Sequence, residues 1–259
     1  MSDKRTAVLF VMDGLGDRPL KELAGQTPLQ AAKTPTFDRL AAEGQNALMN
    51  VIGPGLTPGS DTAHLALFGY DPFTEYPGRG PLEAFGAGLA TEPGDVAFRS
   101  NFATVDSNMV VLDRRAGRTF TPEEQAELQA ALDGIKIDGV TVRFVATVEH
   151  RGALVLKGEG LYAEISDADP HETGKKILTV HALKPEAEKT AYVVNKLMRV
   201  AHEQMKNLEI NKKRAKKGIP LANAILLRGP GKHSDVPPLP KRYGIKAAAL
   251  AGGALYIGT

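Results

Sequence analysis

The chain has 259 residues, of which 42% are hydrophobic and 24% are charged, a composition typical of a folded protein with one large or two modest domains. Its 32 basic and 30 acidic residues leave a net charge of only +2, so the composition indicates no nucleic-acid partner. The absence of cysteine excludes disulfides, thiolate catalysis and cysteine-bound zinc, and no apolar run is long enough for a membrane anchor or a signal peptide, so we expect a cytoplasmic protein without membrane association.

The first segments read as alternating strands and helices. Residues 7–12 and 47–52 are short apolar runs of the kind found in strands buried on both faces of a parallel sheet. Between them, Thr34 and Pro35 predict the start of a helix that runs to about Glu43. Asp13 follows the first run and Ser60 follows the second. Because ligand sites collect at the carboxyl ends of parallel strands, we expect these two residues to face one crevice.

Ser60 lies in a loop bent by glycine and proline, which reads PGLTPGSDTAHLALFGYDP and leads into a predicted helix. Asp61 and His64 follow within one helical turn. Two interpretations of Ser60 fit this position. It is either an ordinary helix cap or a nucleophile whose phosphorylated form is stabilised by the free N–H groups of the helix start. Asp13 likewise reads either as a turn residue or as a ligand of a metal that also activates the Ser60 hydroxyl.

The pattern changes in the middle of the chain. Residues 78–88, GRGPLEAFGAG, are rich in glycine and predict a crossing between domains or a hinge. Residues 96–105 and 109–112 predict a hairpin, as do residues 140–148 and 153–157, and a helix capped by Thr121 lies between the two hairpins. These elements predict a small α+β domain inserted into the parallel one.

The last third begins with a helix predicted from about Pro185, with apolar residues on one face. The basic run 211–217, NKKRAKK, is interpreted as a solvated helix end, with phosphate binding as the alternative. Residues 224–227 and 246–250 read as two further buried strands that return to the first sheet.

Long motifs in this order resemble the archaeal-type 2,3-bisphosphoglycerate-independent phosphoglycerate mutases, a family of the alkaline-phosphatase superfamily. They are VLFVMDGLGD, TPLQAAKTPTFDRLA, PGSDTAHLALFGYDP, YPGRGPLEAFGAGL, DVAFRSNFATVD, DADPH and ANAILLRGPG, and they span essentially the whole chain. The resemblance implies an α/β fold whose mostly parallel sheet, with helices on both faces, is interrupted by a smaller α+β domain. The implied boundaries are 1–76 for the first part of the phosphatase-like domain, 77–184 for the inserted substrate-clamping domain and 185–259 for an incomplete continuation.

The same resemblance implies interconversion of 3-phosphoglycerate and 2-phosphoglycerate through a phosphoserine on Ser60. Two divalent metal ions (Mn, Co, Zn or Mg) serve the intact family, and Asp13 and Ser60 match ligands of one of them. Asp61, His64 and Asn223 match supporting positions. Arginine binds carboxylate and phosphate in a bidentate manner, so the clamping candidates are basic, with one carboxylate for proton handling. They are Arg79, Arg99, Asp113, Arg114, Arg115, Arg118, Arg151 and Arg228.

Members of the family continue beyond the equivalent of Thr259, and that part carries their remaining metal ligands. We therefore expect the 259 residues to lack the C-terminal part, to hold one partial metal site and to be inactive alone. The alternatives are a related metal-dependent phosphomonoesterase and a non-catalytic fragment or subunit. A homo-oligomer, or association with the missing part, is also expected.

Overall fold

The computed structural model describes residues 6–259, which divide into two compact units at Met49 and Asn50. In the first unit, a 3-10 turn at Lys21–Leu23 precedes helix α1 (Pro28–Ala31) and helix α2 (Pro35–Glu43). Thr27 caps α1 by accepting from the Gln30 amide at 3.2 Å, and the Gln30 side chain accepts from the Thr27 amide in return. Helix α2 begins one residue after Thr34, as the sequence predicts.

Neither predicted strand of the parallel sheet forms. Residues 7–12 and 47–52 adopt no strand, and Phe10 and Leu48 are exposed. Residues 246–250 likewise adopt no strand, and Leu250 is exposed. These three predictions are wrong for the described residues, because a strand exists only where a neighbouring strand pairs with its backbone, and none of the three segments has one.

The second unit begins with helix α3 (Ser60–Leu67) and helix α4 (Arg79–Gly86). The predicted hinge at residues 78–88 is wrong, because α4 occupies most of it. Its glycines serve close packing instead of bending. A Cβ built on Gly80 would lie 2.0 Å from the Ala97 carbonyl oxygen, so only glycine lets α4 approach the sheet this closely.

The sheet itself is antiparallel in all of its strand pairs, and the middle of the chain follows the prediction closely. Its strands are β1 (Val96–Val105), β2 (Val111–Asp113), β3 (Lys136–Ile137), β4 (Val140–Ala146) and β5 (Arg151–Lys157), with helix α5 (Pro122–Leu132) between β2 and β3. The order is β2-β1-β5-β4-β3. Thr121 and Glu124 form the capping box that starts α5.

After a 3-10 turn at Pro185–Ala187, the remaining elements are helix α6 (Glu188–Met205), helix α7 (Glu209–Lys216), strand β6 (Ala224–Lys232), helix α8 (Leu239–Tyr243) and helix α9 (Ala254–Gly258). Strand β6 pairs with β1, with Arg228 opposite Arg99. The prediction that residues 224–227 return to a parallel sheet is therefore wrong, since burial identifies a central strand but not its partner. None of the helices in the described part of the chain has the length and apolarity needed to cross a lipid bilayer.

The two faces of the sheet differ, because successive residues of a strand point to opposite faces. On one face, Phe98 and Phe102 of β1 belong to the main apolar core, which includes residues of α5 and α6. On the other face, Ala97 packs in a small cluster with Ala84 of α4. Arg99 and Asn101 follow Ala97 on this second face, next to the region that α4 covers.

Candidate functional site

A cleft of about 120 Å³ opens on this second face and is lined mainly by arginines. We call it the arginine cleft. Strands β1, β5 and β6 contribute to it, together with the loop after β2 and the turn before β5. Its lining residues are Arg99, Asn101, Arg114, Arg115, Arg118, Glu149, His150, Arg151 and Arg228.

The strand register explains why distant arginines meet here. Arg99 of β1 lies opposite Arg228 of β6, and Asn101 of β1 lies opposite Arg151 of β5. Residues directly opposite in an antiparallel pair point to the same face, so three adjacent strands bring their polar side chains together. Six of the seven arginines predicted to clamp a substrate line this one cleft.

The guanidinium groups of the cleft are buried close to one another. Arg99 is 8% exposed. Burial, together with the charges of Arg79 and Arg228 and opposed by that of Glu83, lowers its pKa to about 10. Burial also lowers the pKa of Arg228, partly opposed by the charge of Asp169. Both groups stay protonated at neutral pH, so the cleft concentrates positive charge in a region partly shielded from water.

Several polar atoms of the cleft lack partners. Within the described part of the chain, the Nε atoms of Arg99, Arg151 and Arg228 are buried without a hydrogen bond, as are Asn101 Oδ1 and His150 Nδ1. Leaving a buried donor or acceptor unpaired costs about 1–3 kcal/mol each. The unpaired guanidinium donors belong to three residues that line one cleft, and they suit an anion because a phosphate or carboxylate supplies acceptors.

A second depression, of about 410 Å³, lies beside α5 and does not share this property. Its glutamines are engaged: Gln125 donates to the Thr147 and Glu149 carbonyls, and Gln129 accepts from the Ala146 amide. Asp133 accepts from Arg143 at 2.8 Å. Because its polar side chains are satisfied by the protein itself, we do not consider this depression a ligand site.

Asp169 fixes Arg114 at the edge of the cleft. It is fully buried and accepts two hydrogen bonds from Arg114, at 3.1 and 2.7 Å, and one from the His171 amide at 2.9 Å. Burial raises the pKa of Asp169, but the hydrogen bonds from Arg114 and His171 outweigh it and hold the pKa below its ordinary value. Arg114 is therefore held in one orientation by a carboxylate that stays ionised.

Asp113 and Arg79 lie next to the cleft and not in its lining. The Asp113 carboxylate accepts from the Arg115 amide at 2.7 Å and from the Gly117 amide at 2.9 Å, so it shapes the loop that carries Arg115. Arg79 is the first residue of α4 and lies 3.3 Å from Glu83, which in turn lies 3.6 Å from Arg99. The Glu83 carboxylate thus joins Arg79 to the edge of the cleft.

Ser60 is the first residue of α3, with Gly59 as the capping residue. Asp61 accepts from the Tyr76 hydroxyl at 2.5 Å and from the Thr62 amide at 3.0 Å. Burial raises the pKa of Tyr76, and the hydrogen bond to Asp61 raises it further. His64 Nδ1 lies 2.6 Å from the Ser60 carbonyl oxygen. Asp61 and His64 are both buried and tie down the helix start that presents Ser60.

Asp13 lies in a turn of the first compact unit, next to Gly14 with its positive φ of 75°. Ser60 belongs to the second unit, and the sharing of one metal ion by Asp13 and Ser60 stays a prediction. Residues 6–259 contain no cluster of three or more His, Asp or Glu side chains arranged to hold a metal ion. The described residues therefore do not make up a complete metal site.

Asn223 makes its side-chain hydrogen bonds at the end of β1. Its side chain accepts from the Val105 amide at 2.8 Å and donates to the Val105 carbonyl at 2.9 Å, so it joins the end of β1 to the start of β6. It does not line the arginine cleft. Asn223 directly precedes β6 of the antiparallel sheet, and its supporting role stays a prediction.

Sequence reasoning missed five residues: Asn101, Glu149, His150 and Asp169 at the cleft, and Tyr76 beside Asp61. Two of them carried a usable signal. Asn101 lies two positions after Arg99 in a predicted strand, so it faces the same side. His150 directly precedes Arg151 in a predicted hairpin turn. The contact of Asp169 with Arg114 and that of Tyr76 with Asp61 depend on tertiary packing.

The sequence profile of a known family matches residues 41–211, and its description is 2,3-bisphosphoglycerate-independent phosphoglycerate mutase. A protein of that name from Methanocaldococcus jannaschii is 52% identical over 257 residues, covering 98% of this chain and 62% of the relative. One from Ignicoccus hospitalis is 51% identical, covering 97% of this chain and 62% of that relative. The chain thus spans about three fifths of the length of these curated relatives.

Two solved structures are also similar. The cofactor-independent phosphoglycerate mutase of Thermoplasma acidophilum matches with a TM-score of 0.62 and 39% identity, over 96% of this chain and 65% of that one. A Pyrococcus horikoshii protein matches with a TM-score of 0.69 and 34% identity, over 95% of this chain and 56% of that one. The α/β fold class predicted from the sequence is confirmed by these likenesses.

Proposed function

Because the chain belongs to the 2,3-bisphosphoglycerate-independent phosphoglycerate mutase family, we propose that the protein interconverts 3-phosphoglycerate and 2-phosphoglycerate. The observation that carries this proposal is the arginine cleft with its unpartnered buried donors. A phosphoglycerate carries both a phosphate and a carboxylate, and both are acceptors that a guanidinium binds well. The proposed clamping region is made of residues 77–184 together with strand β6.

In the proposed reaction, Ser60 Oγ attacks the phosphorus of 3-phosphoglycerate, the bond from phosphorus to the glycerate oxygen breaks, and a phosphoserine forms. The Ser60 hydroxyl loses its proton and the departing glycerate oxygen gains one. The glycerate turns while the arginines hold its carboxylate. Its other hydroxyl then attacks the phosphorus and loses its proton, the bond from phosphorus to Ser60 Oγ breaks, and Ser60 regains a proton. Proximity and charge neutralisation supply most of the rate gain in such transfers.

The start of α3 suits this role of Ser60. The first N–H groups of a helix have no partner within it, and the helix dipole favours negative charge there. A phosphoserine at the first position of α3 is therefore stabilised by the backbone, and Asp61 and His64 keep that helix end in place. Ser60 and the cleft belong to the same compact unit.

We further propose that the protein depends on divalent metal ions and that Asp13 and Ser60 supply two of the ligands. This proposal rests on family membership and on the donor chemistry of a carboxylate and a hydroxyl. Since the described residues make up no complete metal site, no step of the proposed reaction is routed through a metal.

The proposal is tested with protein expressed from the complete reading frame. 3-Phosphoglycerate is supplied with Mn²⁺, and the 2-phosphoglycerate and free phosphate that appear are both measured. We expect 2-phosphoglycerate without net phosphate release, loss of this activity in Ser60→Ala, and unchanged activity in Ser107→Ala, which alters an exposed serine of the β1–β2 turn. Phosphate released as fast as substrate disappears would make the protein a phosphomonoesterase, and full activity in Ser60→Ala would remove Ser60 as the nucleophile.

A further inference from the structure

The basic run 211–217 contains one arginine that differs from its neighbours. Arg214 of α7 is 1% exposed, while Lys212, Lys213, Lys216 and Lys217 are exposed. The interpretation of the whole run as a solvated helix end is therefore wrong for Arg214. A buried guanidinium needs several partners, and its contacts show which part of the molecule it holds.

Arg214 donates hydrogen bonds to four oxygen atoms. Two belong to the loop after β2: Nη2 donates to the Ala116 carbonyl at 2.6 Å, and Nη1 donates to the Thr119 carbonyl at 3.2 Å. Nη1 also donates to the Glu124 carboxylate at 2.9 Å, and Nε donates to the Pro220 carbonyl at 2.8 Å. The guanidinium also lies 4.3 Å from the centre of the Phe120 ring.

The loop held by Arg214 has an unusual backbone. Ala116, Gly117 and Arg118 are three consecutive residues with positive φ, at 45°, 76° and 64°. Residues with a Cβ disfavour this region, so a loop with two of them, Ala116 and Arg118, on either side of Gly117 needs contacts that hold it. Asp113 accepts from the Arg115 and Gly117 amides, while Arg214 binds two of the loop's carbonyl groups.

This loop carries Arg115 and Arg118, which both line the arginine cleft. We propose that Arg214 is a positioning residue: it touches no ligand, but it fixes the loop conformation that presents these two arginines to the anion. The inference rests on the proposed anion-binding role of the cleft. Lysine cannot replace Arg214, because one ammonium cannot reach four acceptors that a planar guanidinium reaches in different directions.

The test compares wild-type protein with Arg214→Lys, using Lys213→Met as the control that changes an exposed neighbour on the same helix. Binding of 3-phosphoglycerate is measured by calorimetry well below the melting temperature, and amide chemical shifts are recorded by NMR. We expect Arg214→Lys to weaken binding roughly ten- to a hundredfold, the cost of losing one charge-assisted hydrogen bond or more, and to shift the Gly117 and Arg118 amides but not those of β4. Lys213→Met leaves both measurements unchanged.

A purely structural role predicts a lower melting temperature with wild-type affinity and unchanged loop amides in the folded protein, and this result would overturn the proposal. If Arg214→Lys does not fold, Glu124→Gln is used instead, because it removes the charged partner of Arg214. We expect it to weaken 3-phosphoglycerate binding and to shift the Gly117 and Arg118 amides, each to a smaller extent. Unchanged affinity and unchanged loop amides in a folded Glu124→Gln would then overturn it. If wild-type protein binds no 3-phosphoglycerate, the proposed function fails, while the loop amides still report whether Arg214 holds the loop.

Discussion

His150 makes the stability of this protein sensitive to acid. Its side chain is 3% exposed and lies among the arginines of the cleft. Burial, together with the charges of Arg151, Arg99 and Arg118 and opposed by that of Asp113, lowers its pKa from 6.5 to about 4. The folded protein therefore holds His150 as a neutral imidazole at pH 7.

The sign of the pH effect follows from this shift. Because the folded pKa lies below the unfolded one, the unfolded chain binds more protons in acid, and acidification favours unfolding. The stability linked to His150 is fully present above about pH 6.5 and is lost as the pH falls towards 4. Between pH 7 and pH 4.5 this loss amounts to about 2–3 kcal/mol.

The assay is urea unfolding of wild-type protein and of His150→Gln at pH 7 and at pH 4.5. Glutamine does not titrate, so the variant keeps every other acid-sensitive group, including Glu149, whose carboxylate lies 3.7 Å from His150 Nδ1. Between pH 7 and pH 4.5, we expect the free energy of unfolding of the wild-type protein to fall by about 2–3 kcal/mol more than that of the variant. Equal losses in the two proteins would refute the electrostatic description of the cleft.

Three further substitutions test contacts around the cleft. Asp169→Asn removes the buried charge that pairs with Arg114, and we expect the free energy of unfolding in urea to fall by about 3–5 kcal/mol. An unchanged free energy of unfolding would mean that this ion pair is dispensable. Asn223→Ala leaves the amide and the carbonyl of Val105 unpaired, so we expect the free energy of unfolding to fall by about 2–6 kcal/mol. A fall below about half a kcal/mol would contradict this expectation. Gly80→Ala puts a methyl group against the Ala97 carbonyl oxygen, so thermal unfolding should show a loss of at least about 1–3 kcal/mol, and an unchanged melting temperature would show that α4 is free to shift.

The antiparallel part of the chain was predictable because its signals are local. Strand β1 has the predicted bounds, and α5 begins at the capping box that Thr121 and Glu124 form. Six of the seven arginines proposed to clamp a substrate line one cleft, although sequence patterns do not contain the strand register that brings them together.

The remaining parts depend on contacts that sequence patterns do not contain. Residues 7–12 have the composition of a buried strand but no strand partner among the described residues. Helix α4 was missed because glycine reads as flexible, whereas Gly80 is required by the close approach of α4 to β1. Arg214 was hidden in a basic run, since its burial depends on acceptors that lie about ninety or more residues away at Glu124, Thr119 and Ala116.

The central claim is that the arginine cleft binds a phosphorylated carboxylic acid, and calorimetric titration with 3-phosphoglycerate tests it most directly. The matched variants are Arg151→Met in the cleft and Arg143→Met on β4, where Arg143 pairs with Asp133 outside the cleft. We predict saturable binding to wild-type protein, the same binding to Arg143→Met, and at least roughly tenfold weaker binding to Arg151→Met. Equal affinity of all three proteins, or no binding to the wild type, would contradict the claim.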